Sequence, residues 1–151
     1  MIIKSLDHLK SISKKIADNI SENDCIFLIG EIGVGKTTFT RNIINYLQKK
    51  RGARETEVLS PTFNLLYEYN IKNLKIKHYD LYRIKNKKEL SHLGIFKEDF
   101  NSIKIIEWPE LVEIDLKNKL ELHFKYSRKE DERELSILGQ GKWKNINKDE
   151  L

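Results

Sequence analysis

One cysteine, two prolines and seven glycines are all that these 151 residues hold of those types. A single thiol, Cys25, excludes an intramolecular disulfide and most metal-cluster schemes. It lies within the apolar run CIFLI, so an inert buried thiol is expected rather than a nucleophile. No apolar stretch approaches the roughly 20 residues of a membrane span, and no membrane partner is expected. The N-terminus lacks a signal peptide's apolar core, which points to the cytoplasm. On that ground the terminal letters KDEL are discounted as a luminal retention signal. The chain has no internal repeat. A GTPase would be expected to carry N-K-x-D after a strand, and the nearest text, Asn147-Lys148-Asp149-Glu150, has the wrong fourth residue.

Charged residues make up 34% of the chain and hydrophobic ones 39%, the balance of a soluble globular protein. The length fits one domain over residues 1–144, with 145–151 expected as a frayed tail. The net charge is +5, which raises the question of a nucleic-acid surface. However, the lysines are spread out and interleaved with acids, as in KNKKEL and SRKEDERE. That pattern favours a solvated surface over a dedicated binding stripe.

Helical and strand signals alternate. Leu6, Leu9, Ile12, Ile16 and Ile20 fall at helical spacing behind Ser5, a plausible cap. CIFLI has the pattern of a strand buried on both faces. Thr37 to Lys50 reads as a helix that turns Phe39, Ile43, Ile44 and Leu47 to a sheet. Phe63 to Tyr69 and Leu74 to Tyr82 read as strands of a hairpin, turning at Asn70 to Asn73. Lys87 to Leu93 reads as a short helix and Ile103 to Ile106 as a second apolar strand. Leu120 to Tyr126 and Glu134 to Leu138 read as antiparallel edge strands flanking the loop SRKEDER. The fold class expected is α/β: a single domain with a central, mostly parallel sheet, flanking helices and antiparallel edge strands.

The stretch GEIGVGKTTF stands directly behind CIFLI. Gly30, Gly35, Lys36 and Thr37 match G-x-x-x-x-G-K-[ST], the phosphate-binding P-loop, so a single P-loop NTPase domain is expected. Glycines let the chain curl until backbone N–H groups point at phosphate oxygens, and the helix beginning near Lys36 adds its positive end. Lys36 can reach the β- and γ-phosphates, the Thr37 hydroxyl can ligate Mg²⁺, and Thr38 can bond the α-phosphate. A glycine-rich turn that binds nothing is the bland alternative, and the flanking strand and helix argue against it.

Phosphoryl transfer further needs an acid for the metal and a group that orients water. In open α/β sheets such groups sit at the carboxyl ends of strands beside the P-loop. LKIKHYD ends in Asp80 and IKIIE ends in Glu107. Either acid alone reads equally well as a solvated turn residue; together, beside a P-loop, they favour a role for at least one. SPTF, from Ser60 to Phe63, sets hydroxyls on both sides of a proline. A plain proline turn is the commoner explanation, and a mobile segment reading the γ-phosphate is the functional one.

With these stretches in hand, GEIGVGKTTF, SPTFNLLYEY, HYDLYRI, ELSHLGIF and IIEWPE occur in an order and spacing that resemble the TsaE (YjeE) family. That family is the small P-loop ATPase of bacterial tRNA threonylcarbamoyladenosine biosynthesis. The resemblance runs from the first helix to the last strands. It implies ATP and Mg²⁺ as cofactors. It also implies work with two paralogous threonylcarbamoyl-transfer proteins, of TsaB and TsaD type, on adenosine-37 of tRNAs reading ANN codons, with tRNA met through the complex. By position it implies that Gly33, Val34, Gly35, Lys36, Thr37 and Thr38 cradle ATP. Thr37 and Glu107 would hold the metal, Asp80 would act on metal or water, and Thr62 would belong to a switch segment. Trp108 would lie near the nucleotide, though a core tryptophan fits the sequence equally, and Arg133 matches an arginine frequent before the last strand. Leu9 stands where the family has a threonine near the base, and Leu111 where a basic residue is common. A small-molecule kinase, with SRKEDER as a lid, and a nucleotide-sensing module with incidental hydrolysis are the rival readings.

Overall fold

The computed structural model describes residues 1–97 and 101–146. In chain order the elements are β1 (Ile2–Ile3), α1 (Leu6–Asn19), β2 (Asp24–Ile29), α2 (Lys36–Lys50), β3 (Leu66–Ile71) and β4 (Leu74–Asp80). Then follow α3 (Lys87–His92), β5 (Ser102–Glu107), β6 (Asn118–Tyr126) and β7 (Arg133–Gln140). Short 3-10 turns cover Pro109–Leu111 and Gly141–Asn145.

The helices form where spacing and caps predict. Ser5 Oγ accepts the His8 N–H at 3.1 Å, satisfying one of the first donors of α1. Leu9, Ile12 and Ile16 are buried, while Leu6, at the helix end, is 74% exposed. Helix α2 starts one residue earlier than expected, at Lys36, and buries Phe39, Ile43, Ile44 and Leu47 as predicted.

Among the described residues seven strands join one sheet, ordered β1-β7-β6-β2-β5-β4-β3. The pairs β6–β2, β2–β5 and β5–β4 are parallel; β3, β7 and β1 are attached antiparallel. The α/β architecture with a parallel centre and antiparallel edges is therefore present. Strand period splits the core in two. Ile26, Leu28, Ile76, Ile103 and Ile105 pack with α1 and α2. Cys25, Phe27, Tyr79 and Ile106 face the opposite way, onto Leu90 of α3, Ile95 and Val112. Burial pushes the Cys25 thiol up to about 12, so the thiol is the inert one expected.

Several expectations change. Strand β6 is interior, parallel to β2, and not an edge. Its alternation of Leu120, Leu122 and Phe124 with Lys119, Glu121 and His123 reports one partly open face, which periodicity cannot distinguish from an open edge. The outer neighbour of β7 is β1, whose two residues are too few to show any period. Strand β3 starts at Leu66, because the chain turns at Leu65 (φ 66°) and leaves Phe63 83% exposed. The hairpin turn is Lys72-Asn73 alone. Of the tail expected at 145–151, Asn145 closes a 3-10 turn and Ile146 packs against the core. The remainder of that tail, with the KDEL and N-K-D-E text, lies outside the described residues. No helix among the described residues is long and apolar enough to cross a membrane.

Gly30 fixes where β2 hands over to the P-loop. Its φ is 146°, and a Cβ there would sit 2.4 Å from the Phe124 carbonyl oxygen of β6. Backbone cannot yield as a side-chain tip can, so Gly30→Ala should destabilise the fold by about 1–3 kcal/mol or more. Denaturant unfolding checks this, and an unchanged midpoint would mean that β2 and β6 are less tightly joined than the contact implies.

Candidate functional site

Parallel register brings three strand ends together: Leu28 pairs with Glu107, and Asp80 pairs with Glu107. The loop from Gly30 leaves β2 at this point and feeds α2. Its last residue before the helix, Gly35, has φ 120° and no side-chain cap, leaving the first N–H groups of α2 facing out of the helix end. On the outer side of the loop, the Tyr126 hydroxyl donates to the Ile32 carbonyl at 2.7 Å.

Within this frame Lys36 is buried. Its ammonium donates to the Gly30 and Glu31 carbonyls at 2.6 and 2.8 Å and lies 4.2 Å from the Trp108 ring centroid. Desolvation holds its pKa below the ordinary value, opposed by the carboxylates of Glu107, Asp80 and Glu110. The Thr37 hydroxyl is 2.9 Å from Glu107 Oε1 and 3.1 Å from Oε2. Glu107, 2% exposed, also meets His78 Nε2 at 2.8 Å through Oε1. Asp80 is equally enclosed: Oδ2 accepts from the Thr62 hydroxyl at 2.6 Å and Oδ1 from the Tyr82 N–H at 3.0 Å. Thr62 in turn meets the Ser60 hydroxyl at 2.8 Å. Trp108 has left-handed backbone (φ 58°, ψ 58°), a conformation costing about 1–3 kcal/mol for a bulky residue. Its ring packs against Tyr82, centroids 4.9 Å apart.

Two cavities flank the P-loop. One, about 270 Å³, is walled by Gly33, Lys36, Thr37, Thr62, Asp80, Glu107 and Trp108. The other, about 260 Å³, is walled by Leu9, Gly33, Val34, Gly35, Thr38 and Arg133. The predicted residues therefore divide into two groups, with Gly33 common to both. Arg133 belongs to the second group, stacked 4.7 Å over Tyr126 and donating to the Glu130 and Glu132 carbonyls. Leu9, the departure from the family threonine, forms part of that second wall.

Sequence reasoning missed His78, Tyr82 and Tyr126. The signal for His78 was its place two residues before Asp80, on the same face of β4. Tyr126 carried no local signal, since it reaches the loop across 94 positions of sequence.

As a metal site the arrangement is sparse. No group of three or more His, Cys, Asp or Glu among the described residues could hold an ion. Thr37 Oγ1 and the Glu107 carboxylate are two hard oxygen donors side by side. That set fits Mg²⁺, which takes one or two protein oxygens and completes its shell with phosphates and water, and does not fit a Zn²⁺ cage.

The model of the family described as "Threonylcarbamoyl adenosine biosynthesis protein TsaE" matches residues 3–135. The chain belongs to the TsaE family. It is 40% identical over 111 residues to the Rickettsia conorii protein named tRNA threonylcarbamoyladenosine biosynthesis protein TsaE, covering 73% of this chain and 61% of the relative. A Bacillus subtilis protein of the same name is 33% identical over 138 residues, covering 89% of this chain and 82% of that one. This chain thus spans less than two thirds of the Rickettsia TsaE but most of the Bacillus one. The crystal structure of Bacillus subtilis YdiB superposes with a TM-score of 0.67 at 26% identity, covering 93% of this chain and 83% of YdiB. Both the family resemblance and the α/β fold read from the motifs are borne out.

Lys36 gives the site a pH signature. Burial lowers its folded pKa, so between that value and the ordinary 10.5 the unfolded chain binds more protons. Stability from this position should rise as pH climbs through that window. Relative to Lys36→Met, the wild-type unfolding free energy should increase as pH rises toward 10.5. Urea titrations at stepped pH measure it, and a pH-independent difference would mean that the ammonium is not desolvated.

Proposed function

We propose that this chain is a Mg²⁺-dependent ATPase. It works in the cytoplasm with two paralogous proteins, of TsaB and TsaD type, that threonylcarbamoylate adenosine-37 of tRNAs reading ANN codons. The observation that carries the reading is the Thr37–Glu107 contact beside Lys36 and Asp80, around one cavity at the end of a parallel sheet. The names of the Rickettsia and Bacillus relatives support the tRNA-modifying role.

Residues 33–38 would hold the triphosphate with backbone N–H groups and the positive end of α2. Lys36 would exchange the Gly30 and Glu31 carbonyls for phosphate oxygens, where its charge opposes charge that builds during transfer. Thr37 and Glu107 would hold Mg²⁺, which neutralises phosphate charge when bound. Thr37 can do this while its O–H still donates to Glu107, because a hydroxyl keeps lone pairs on the same oxygen. Asp80, fixed by Thr62 and the Tyr82 N–H, would orient the attacking water. Trp108 would border the phosphates, and Arg133 would border the nucleoside end at the second cavity. Hydrolysis by the chain alone would be slow, since nothing in its sequence reads as an arginine finger for the γ-phosphate. Contact with tRNA would come through the partners.

The Thr62–Asp80 bond favours a second reading of the same site. It ties SPTF to the phosphate cavity, so nucleotide state could set partner binding while hydrolysis is incidental. One reconstitution tests both: this chain, the two partners, tRNA and activated threonylcarbamoyl, with ATP, a non-hydrolysable analogue or no nucleotide. Repeated rounds of modification should need this chain and ATP, and Thr62→Ala should lower them more than it lowers ATP affinity. Repeated rounds on the analogue would favour the switch reading. Equal modification without the chain would remove the tRNA role.

A further inference from the structure

The face of the sheet beneath α2 is apolar along Leu74 and Ile76 of β4 and along Ile103 and Ile105 of β5. It changes character only at its carboxyl end, where His78 and Asp80 follow on β4 and Glu107 on β5. Asp80 and Glu107 open onto the cavity, but His78 does not. Its ring is 0% exposed, and Nδ1 has no hydrogen-bond partner among the described residues. A polar ring so enclosed is costly where an isoleucine would continue the row, so a compensating use is called for. Its polar contact is Nε2 to Glu107 Oε1, at 2.8 Å.

We propose that His78 is a positioning residue that fixes the orientation of the Glu107 carboxylate for the metal ion. The proposal rests on reading Thr37 and Glu107 as the metal-holding pair. A carboxylate oxygen accepts, so Nε2 is the donor in this contact and Nδ1 is the ring nitrogen that lacks a partner. A carboxylate on a long side chain turns freely about its last bond. Here that turn is blocked from two sides: His78 holds Oε1 from beneath, and the Thr37 hydroxyl bridges both oxygens at 2.9 and 3.1 Å from the cavity side. Oε2 has no second such anchor and is the oxygen presented to the ion. Asp80 needs no such support, having Thr62 and its own following backbone N–H. The two acids are thus held by different devices, one from a buried strand residue and one from a loop.

The test separates metal from nucleotide. Mg²⁺ is titrated into purified protein with ATP, and binding is read by calorimetry and by the fluorescence of Trp108, beside Lys36. His78→Leu, which keeps the bulk and loses the donor, should raise the Mg²⁺ midpoint by about 10- to 100-fold. ATP affinity in EDTA should change by less than about twofold, because the phosphate cradle is untouched. His78→Gln, whose amide can donate to Glu107, should recover most of the loss. Glu107→Gln is the control for the underlying reading. If it shifts the midpoint while folded His78→Leu does not, the positioning role is wrong and the metal reading stands. If neither shifts it, the metal reading falls and the proposal with it. Should His78→Leu not fold, the nitrogen-detected imidazole spectrum of the wild type decides. A slowly exchanging Nε2–H that moves on adding Mg²⁺ to the ATP-loaded protein, and not on adding Mg²⁺ alone, supports the role. A ring protonated only at Nδ1, or one indifferent to Mg²⁺ with ATP, overturns it.

Discussion

A carboxyl group taken almost wholly out of water must find hydrogen-bond partners, and Glu107 finds them on two other elements. Thr37 comes from the first turn of α2 and His78 from the middle of β4, while Glu107 itself ends β5. These contacts are possible only when β4 and β5 are in register and α2 starts where Gly35 lets it start. The parallel centre of the sheet and the onset of α2 therefore share one constraint. Loss of the Thr37 hydroxyl would leave Oε2 unsatisfied, at about 1–3 kcal/mol, while Oε1 would keep His78. The geometry of this corner and its stability are thus one requirement.

The P-loop is braced on both flanks before any nucleotide contact is considered. Tyr126 holds Ile32 from the side of β6, and Lys36 curls back onto the carbonyls of Gly30 and Glu31. The lysine spends solvation to sit there, as its lowered pKa records, and the Trp108 ring covers it. Trp108 itself stands in a left-handed conformation directly after Glu107. Strain of this kind persists where neighbours over-determine it, and here Pro109 follows while the Trp108 N–H donates to the Leu28 carbonyl at 3.2 Å. Nucleotide binding would replace carbonyl partners of a desolvated cation by charged ones, an exchange favoured by Coulomb's law in a poorly hydrated site.

Much of this was legible in the sequence because the informative signals are local. A strand buried on both faces, a G-x-x-x-x-G-K-T turn and an amphipathic helix follow one another within 27 residues, Asp24 to Lys50, and each carries its own local signal. Asp80 and Glu107 were legible as strand-end acids, and their cross-strand pairing followed from the parallel topology. What was not legible depends on contacts far apart in sequence. His78 looks like any strand residue until β5 is beside it, and Tyr126 means nothing until β6 lies next to β2. The interior place of β6 was hidden because one exposed face gives the same alternation as a free edge. The exposure of Leu6 and the short β1 escaped for a simpler reason: a terminus supplies too few residues for periodicity to act on.

ATP turnover by the purified chain tests the whole arrangement most directly. Phosphate release is followed under single-turnover conditions for wild type and Lys36→Ala, each with Mg²⁺ and with EDTA, on proteins shown to be folded by circular dichroism. Slow release by the wild type that requires Mg²⁺, with none from Lys36→Ala, is the predicted result. Release by folded Lys36→Ala at the wild-type rate, or wild-type release indifferent to Mg²⁺, would contradict the assignment of this loop and its acids to Mg²⁺-dependent phosphoryl transfer.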